Sequence, residues 1–203
     1  MLRRIAARGL LEIRPLALAL GLVLIVRTVA AEPYSVPTPS MVPTLMVGDK
    51  LLASKYAYGY SRYSSPIGLM PDFKGRVLDH APERGDVIVF RLPRDTTETY
   101  VKRVIGLPGD RVQMRDGRLY INGALVPREE AGAFKTELSG HPFTLRRYIE
   151  TLPGGRAHDV LEISDHEALD NTQEFVVPAG HFFMMGDNRD DSLDSREIGR
   201  AHV

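Results

Sequence analysis

The sequence predicts a mostly β protein: an antiparallel β core with an inserted β-rich subdomain, preceded by one N-terminal transmembrane helix. Three observations predict it. An apolar run from Leu16 to Val26 follows Arg3, Arg4, Arg8 and Arg14. Short apolar or alternating runs then recur between Gly, Pro and Asn-Gly punctuation, as strands and hairpins do. No long stretch beyond Ala31 repeats apolar residues at helical spacing.

Basic residues ahead of an apolar segment favour a cytoplasmic N-terminus and place the following chain outside. This divides the start into a cytoplasmic tail over 1–15 and an anchor over 16–31. On these residues alone two readings stay open. One is a retained anchor, somewhat short against the ~20 residues of a spanning helix, with Arg27 snorkelling to the interface. The other is a cleaved secretory signal, with Val29-Ala30-Ala31 as the processing site.

Pro33, Pro37, Pro39 and Pro43 make the next stretch extended, because proline fixes its own φ and pushes its predecessor out of the helical region. Asp86–Leu92 reads as a buried strand, Thr99–Gly106 alternates, and Arg111–Met114 runs into an Asp116-Gly117 turn. Leu119–Ile121 and Ala124–Val126 flank Asn122-Gly123, a pair that tolerates the positive φ of a type I′ hairpin turn. Phe143–Thr151, Glu174–Val177 and His181–Met185 complete the expected strands. Between Val112 and Pro178 the chain is richer in Gly, Pro and charge. We therefore assign 32–111 and 181–197 to the core and 112–180 to the insertion.

Composition removes several function classes. Lysine plus arginine and aspartate plus glutamate each number 26, so no global field points to nucleic acid. Cysteine is absent, which excludes disulfides, a cysteine nucleophile and thiolate metal sites. The dense polar block Gly186–Arg196 lacks the glycine and closing glutamate of an EF-hand, so no metal is assigned to it.

Two residues in this pattern carry chemistry. On the strand Tyr100–Val104, Lys102 shares a face with Tyr100 and Val104, a setting that desolvates an amine and lowers its pKa. The plain alternative is an edge-strand lysine with its head in water. Ser40 lies among prolines, where a serine is ordinarily a turn residue, yet Met41, Val42, Leu45 and Met46 around it are apolar. No Gly-x-Ser-x-Gly elbow surrounds it, which disfavours an α/β-hydrolase.

Taken in order, the boxes resemble those of bacterial type I signal peptidases. Pro39-Ser40-Met41 with Pro43-Thr44-Leu45 and Gly48-Asp49 is similar to the nucleophile box. Arg84–Phe90 and Tyr100–Asp110 resemble the general-base box, and Lys55–Gly59 a weaker one. Gly186-Asp187-Asn188-Arg189-Asp190 through Ser192, Asp194, Ser195 and Arg196 resembles the closing box. Together these motifs span Pro33 to Arg196.

The resemblance implies a membrane-bound serine endopeptidase that removes N-terminal signal peptides from exported preproteins after small residues, without cofactor or metal. Ser40 would be the nucleophile and neutral Lys102 its general base. A lysine titrating near ~10.4 must drop by ~2–3 units, ~3–4 kcal/mol against the charged form, to serve near neutrality. Thr38 and the Ser40 amide would form the oxyanion hole, and Ser192 would orient the Lys102 amine. Tyr100 would help desolvate it, while Arg103 with Asp187 and Asp194 with Arg196 would pair behind the site. The histidines are expected to be incidental.

The same resemblance favours a retained single-pass anchor in the bacterial plasma membrane, N-terminus cytoplasmic and catalytic domain periplasmic. Preproteins, membrane lipid and, by proximity, the export machinery would be its partners. Met41 and Leu45 are candidates to dip into the lipid interface. The chain departs from the family pattern after Arg196, which marks 198–203 as a candidate non-native tail and leaves the sheet short of a strand. Two alternatives accompany this reading: a specialised Ser/Lys processing peptidase, and a catalytically inactive, membrane-tethered domain that binds polypeptides.

Overall fold

The computed structural model describes residues 2–61, 64, 75–92, 94–138, 141–199 and 201–202. The chain divides into two compact units, Met1–Tyr34 with Lys50–Ala81, and Ser35–Asp49 with Pro82–Val203.

In the first unit a single helix, α1, runs from Leu2 to Val29 and takes in Pro15. Helix thus runs through the expected tail and the expected anchor as far as Val29, while Ala31, the last residue of the expected anchor, opens a strand. Its apolar side chains are exposed from Ile13 to Val29, Leu18 at 75% and Leu16 at 70%. Among the described residues no helix is long and apolar enough to cross a membrane. Strands β1 (Ala31–Ser35) and β2 (Lys50–Ser54) pair in a two-stranded sheet. Beyond them Lys55, from the weaker box, forms an ion pair with Glu32 at 2.7 Å, and Tyr60 donates to the Val29 carbonyl at 2.7 Å.

The second unit is built of antiparallel sheets. The strands β3 (Val87–Arg91), β4 (Thr99–Gly106) and β12 (His181–Met185) lie in the order β12-β4-β3. All three lie where their apolar runs predict. A second sheet holds β5 (Arg111–Arg115), β6 (Arg118–Ile121), β7 (Ala124–Leu125) and β11 (Phe175–Val176), ordered β11-β5-β6-β7. The β6–β7 turn is the expected one: Asn122 and Gly123 have φ of 55° and 78°. A third sheet has the order β10-β9-β8, from β8 (Arg128–Leu138), β9 (His141–Thr151) and β10 (Ala157–Glu162).

The expected insertion over 112–180 does not separate from the rest. Ile105, Phe183 and Met185 pack in one cluster with Val112, Met114, Leu119, Ile121, Val126, Leu152 and Val177. The ladder between β4 and β12 shifts register between Phe183 and Met184, next to Gly106, where the sheets pack closely. A Cβ there would lie 2.8 Å from Val112 Cγ2 and 2.9 Å from Phe183 Cβ. Strand β13 (Ala201–His202) pairs with His181 and Phe182 of β12. Residues 200 and 203 of that tail lie outside the described residues.

Candidate active site

Strand β4 is central, paired with β3 on one side and β12 on the other. Its register sets Lys102 opposite Ile88. Ser40 comes from a 3-10 turn, Pro39–Met41, whose start suits a proline and whose end is closed by Val42 N–H donating to the Pro39 carbonyl at 3.0 Å. This turn is anchored by burial. Met41 is fully buried and Val42 packs with Leu145 and Leu161. Met41 is therefore core and not an interfacial residue; Met46 and Val47 are the exposed apolar side chains of that segment.

The Lys102 amine and the Ser40 hydroxyl are hydrogen-bonded, Nζ to Oγ. Lys102 is 2% exposed and Ser40 5%, so the pair is almost wholly out of water. Burial lowers the Lys102 pKa to about 8, against a smaller raising effect of Asp194 and a further lowering by Arg196. The Tyr100 ring lies on the same face, its centroid 5.8 Å from Nζ. The lysine is thus desolvated, as strand alternation suggests, and is not an edge lysine in water. Thr38, exposed, places Oγ1 3.4 Å from Ser40 Oγ.

Behind the dyad, Arg103 grips Asp187 through two bonds, Nε to Oδ1 at 2.8 Å and a terminal nitrogen to Oδ2 at 2.7 Å. Arg196 does the same to Asp194 at 2.9 Å on each oxygen. Burial alone would raise the Asp194 carboxyl, but Arg196 and the Gly186 N–H and Ser192 O–H bonds hold it below the usual range. Ser192 is placed differently from expectation. Its hydroxyl donates to Asp194 Oδ2 at 2.8 Å, and among the described residues no hydrogen bond joins it to Lys102. A buried carboxylate is the stronger acceptor and draws the hydroxyl to itself.

Residues 11–202 match the profile of the signal peptidase family, peptidase S26. The chain belongs to that family. Signal peptidase I of Rickettsia akari (strain Hartford) is 41% identical over 187 residues, covering 89% of this chain and 69% of the relative. That of Rickettsia typhi (strain ATCC VR-144 / Wilmington) is 43% identical over 180 residues, covering 85% and 67%. A solved signal peptidase I from Enterococcus faecalis V583 is 32% identical over 61% of this chain and 91% of that one, with a TM-score of 0.35. At that score the strand pairings above, and not the superposition, carry the fold.

This S26 peptidase holds more around the Ser40–Lys102 pair than its sequence boxes announce. Thr44 donates to Asp187 Oδ2 at 2.5 Å and accepts from Arg103 at 3.3 Å. Arg189, about 1% exposed, is paired with the equally buried Glu150 at 2.5 Å. The His158 ring lies 3.5 Å from Glu150 and 3.9 Å from Asp187. Burial, only partly offset by Glu150, drives the His158 pKa to about 3, so the ring is neutral. One histidine therefore stands beside both ion pairs, against the expectation that all are incidental. Thr44 could have been read from its place in the nucleophile box. Nothing local marks Glu150 or His158, whose partners lie far along the chain, Arg189 for Glu150 and Asp187 for His158. Among the described residues no group of His, Asp or Glu could hold a metal ion.

Proposed function

We propose that the chain cleaves N-terminal signal peptides from exported preproteins after small residues, with Ser40 as nucleophile and neutral Lys102 as general base. The observation that carries this is the buried Nζ–Oγ hydrogen bond on a lysine whose pKa has fallen to about 8. Neutral Lys102 takes the Ser40 proton as Oγ attacks the scissile carbonyl. The tetrahedral oxyanion is met by the Ser40 N–H and the Thr38 hydroxyl. Lys102, now charged, returns the proton to the leaving amine as the peptide bond breaks. It then deprotonates a water that releases the acyl group from Ser40 and restores the serine. Asp194 and Arg196 keep the electrostatic environment of Nζ fixed, with Ser192 acting through Asp194. Asp187 and Arg103 fasten the closing loop to the base strand.

The chain is proposed to act at the bacterial plasma membrane, anchored by 16–31 with its N-terminus cytoplasmic and its catalytic residues periplasmic. The exposed apolar side chains of α1 and the basic residues that precede them support this. A buried, hydrogen-bonded dyad favours catalysis over an inactive polypeptide-binding domain. The test is cleavage of a preprotein with an Ala-x-Ala site in detergent. Ser40→Ala and Lys102→Arg should each lower kcat at least ~10³-fold. Substantial activity in Lys102→Arg would overturn the mechanism, since arginine cannot become a neutral base.

A further inference from the structure

Within the loop Gly186–Arg189, Asn188 makes two hydrogen bonds to the nucleophile turn. The Asn188 backbone N–H donates to the Ser40 carbonyl at 3.2 Å, and its side-chain Nδ2 donates to the Pro39 carbonyl at 3.3 Å. The Pro39 C=O and the Ser40 N–H belong to one planar peptide group. A bond that fixes the direction of the first fixes the direction of the second, which is the backbone donor of the oxyanion hole. Holding the Ser40 carbonyl from the same residue pins the other end of the serine. Two hydrogen bonds from one side chain and its own amide thus set both peptide planes that flank the nucleophile.

Asn188 is itself held from outside the turn. The amides on either side of it are strand-paired to β10: Leu161 N–H donates to the Asp187 carbonyl at 2.8 Å, and Arg189 N–H to the Leu161 carbonyl at 2.9 Å. The Arg189 side chain then passes into the interior and meets Glu150 of β9, with bonds of 2.5 and 3.1 Å. Its Nε donates to the Gly186 carbonyl at 3.3 Å, and Arg196 donates to the Arg189 carbonyl at 2.6 Å. A buried ion pair is a poor source of net stability compared with an apolar replacement, but it fixes geometry. Here it fixes the backbone on which Asn188 sits.

We propose that Asn188 is a positioning residue that orients the Ser40 amide and nucleophile, and that the buried Glu150–Arg189 pair holds Asn188 in register for this task. The inference rests on the Ser40–Lys102 reading and makes strands β9 and β10 part of the catalytic geometry.

The test measures kcat, KM and Tm on the full chain in detergent with the same preprotein. Asn188→Leu keeps the side chain's size and removes its donors. Its kcat should fall ~10–100-fold, the cost expected of a misdirected oxyanion donor, with KM within about threefold. The pH midpoint of kcat/KM should stay where the wild type has it, because Lys102 is untouched. Glu150→Gln should lower kcat in the same way, and the Asn188→Leu/Glu150→Gln double variant should be no slower than the slower single one. A kcat for Asn188→Leu within threefold of wild type would overturn the proposal. So would a double variant whose loss is the product of the two single losses. Should Asn188→Leu fail to fold, Asn188→Ser and Asn188→Ala make the same comparison, with serine, which keeps a donor, expected to be the faster. Equal rates for the two would equally overturn it. A wild-type chain that leaves the preprotein uncut counts against the Ser40–Lys102 reading instead.

Discussion

A general base must be neutral before it can act, and burial would supply that condition at Lys102, the base proposed above. With a pKa of about 8, roughly one molecule in ten carries the neutral amine at pH 7. The value of kcat/KM should therefore climb with pH through a midpoint near 8 and level off above it, gaining about tenfold over its pH 7 value. A limb centred near 10.5 would show a solvated amine and remove the role of burial. The residues of this site were unevenly legible. Ser40, Lys102 and the pairs Arg103–Asp187 and Arg196–Asp194 could be named because their boxes are contiguous strings. The partner of Ser192 could not, because the choice between an amine and a carboxylate is made by distance. Glu150 and His158 left no trace, since each looks like an ordinary strand residue until Arg189 and Asp187 are folded against it.

Among the elements, strands with an apolar or alternating run declared themselves: β3, β4, β6 and β12 lie within two residues of their expected bounds. Strands β2, β8, β10 and β13 did not. The sequence of β8, REEAGAFKTEL, is charged and interrupted by glycine, and its ladder with β9 shifts register between Glu130 and Ala133. Strand β10, on the other side of β9, follows Pro153-Gly154-Gly155 and carries two polar residues in its first three. Both owe their strand state to pairing with β9 and not to local propensity. The loop after β12 offers a direct test of how closely the elements meet. A Cβ on Gly186 would collide with the Ser192 hydroxyl and the Ser40 carbonyl. Gly186→Ala should cost about 1–3 kcal/mol of stability and lower kcat at least tenfold, measured by thermal unfolding and preprotein cleavage. A fully active Gly186→Ala chain would show that the loop can back away from the nucleophile.

For the whole molecule, α1 bears on where the chain works. The helix α1 exposes apolar side chains around its circumference, among them Leu16, Leu18, Leu20, Leu22 and Ile25. The segment Leu16–Val26 is apolar on every face, and such a surface needs lipid or protein around it. The full chain should sediment with phospholipid vesicles, and a chain lacking residues up to Ala31 should stay largely in the supernatant. The shortened chain should lose at least ~10-fold in processing of membrane-presented precursors while cleaving a soluble peptide at a near-normal rate. Equal membrane processing by both chains would count against an anchor. Strand β4, which carries the proposed base, Lys102, has a further consequence at this scale. It is bonded on both edges, to β3 and to β12, and its own residues Val104 and Ile105 are completely buried. Hydrogen exchange at such a strand waits for opening of the whole sheet. The base has no private route to disorder: heat or denaturant that dislodges Lys102 must first dismantle the unit that surrounds it.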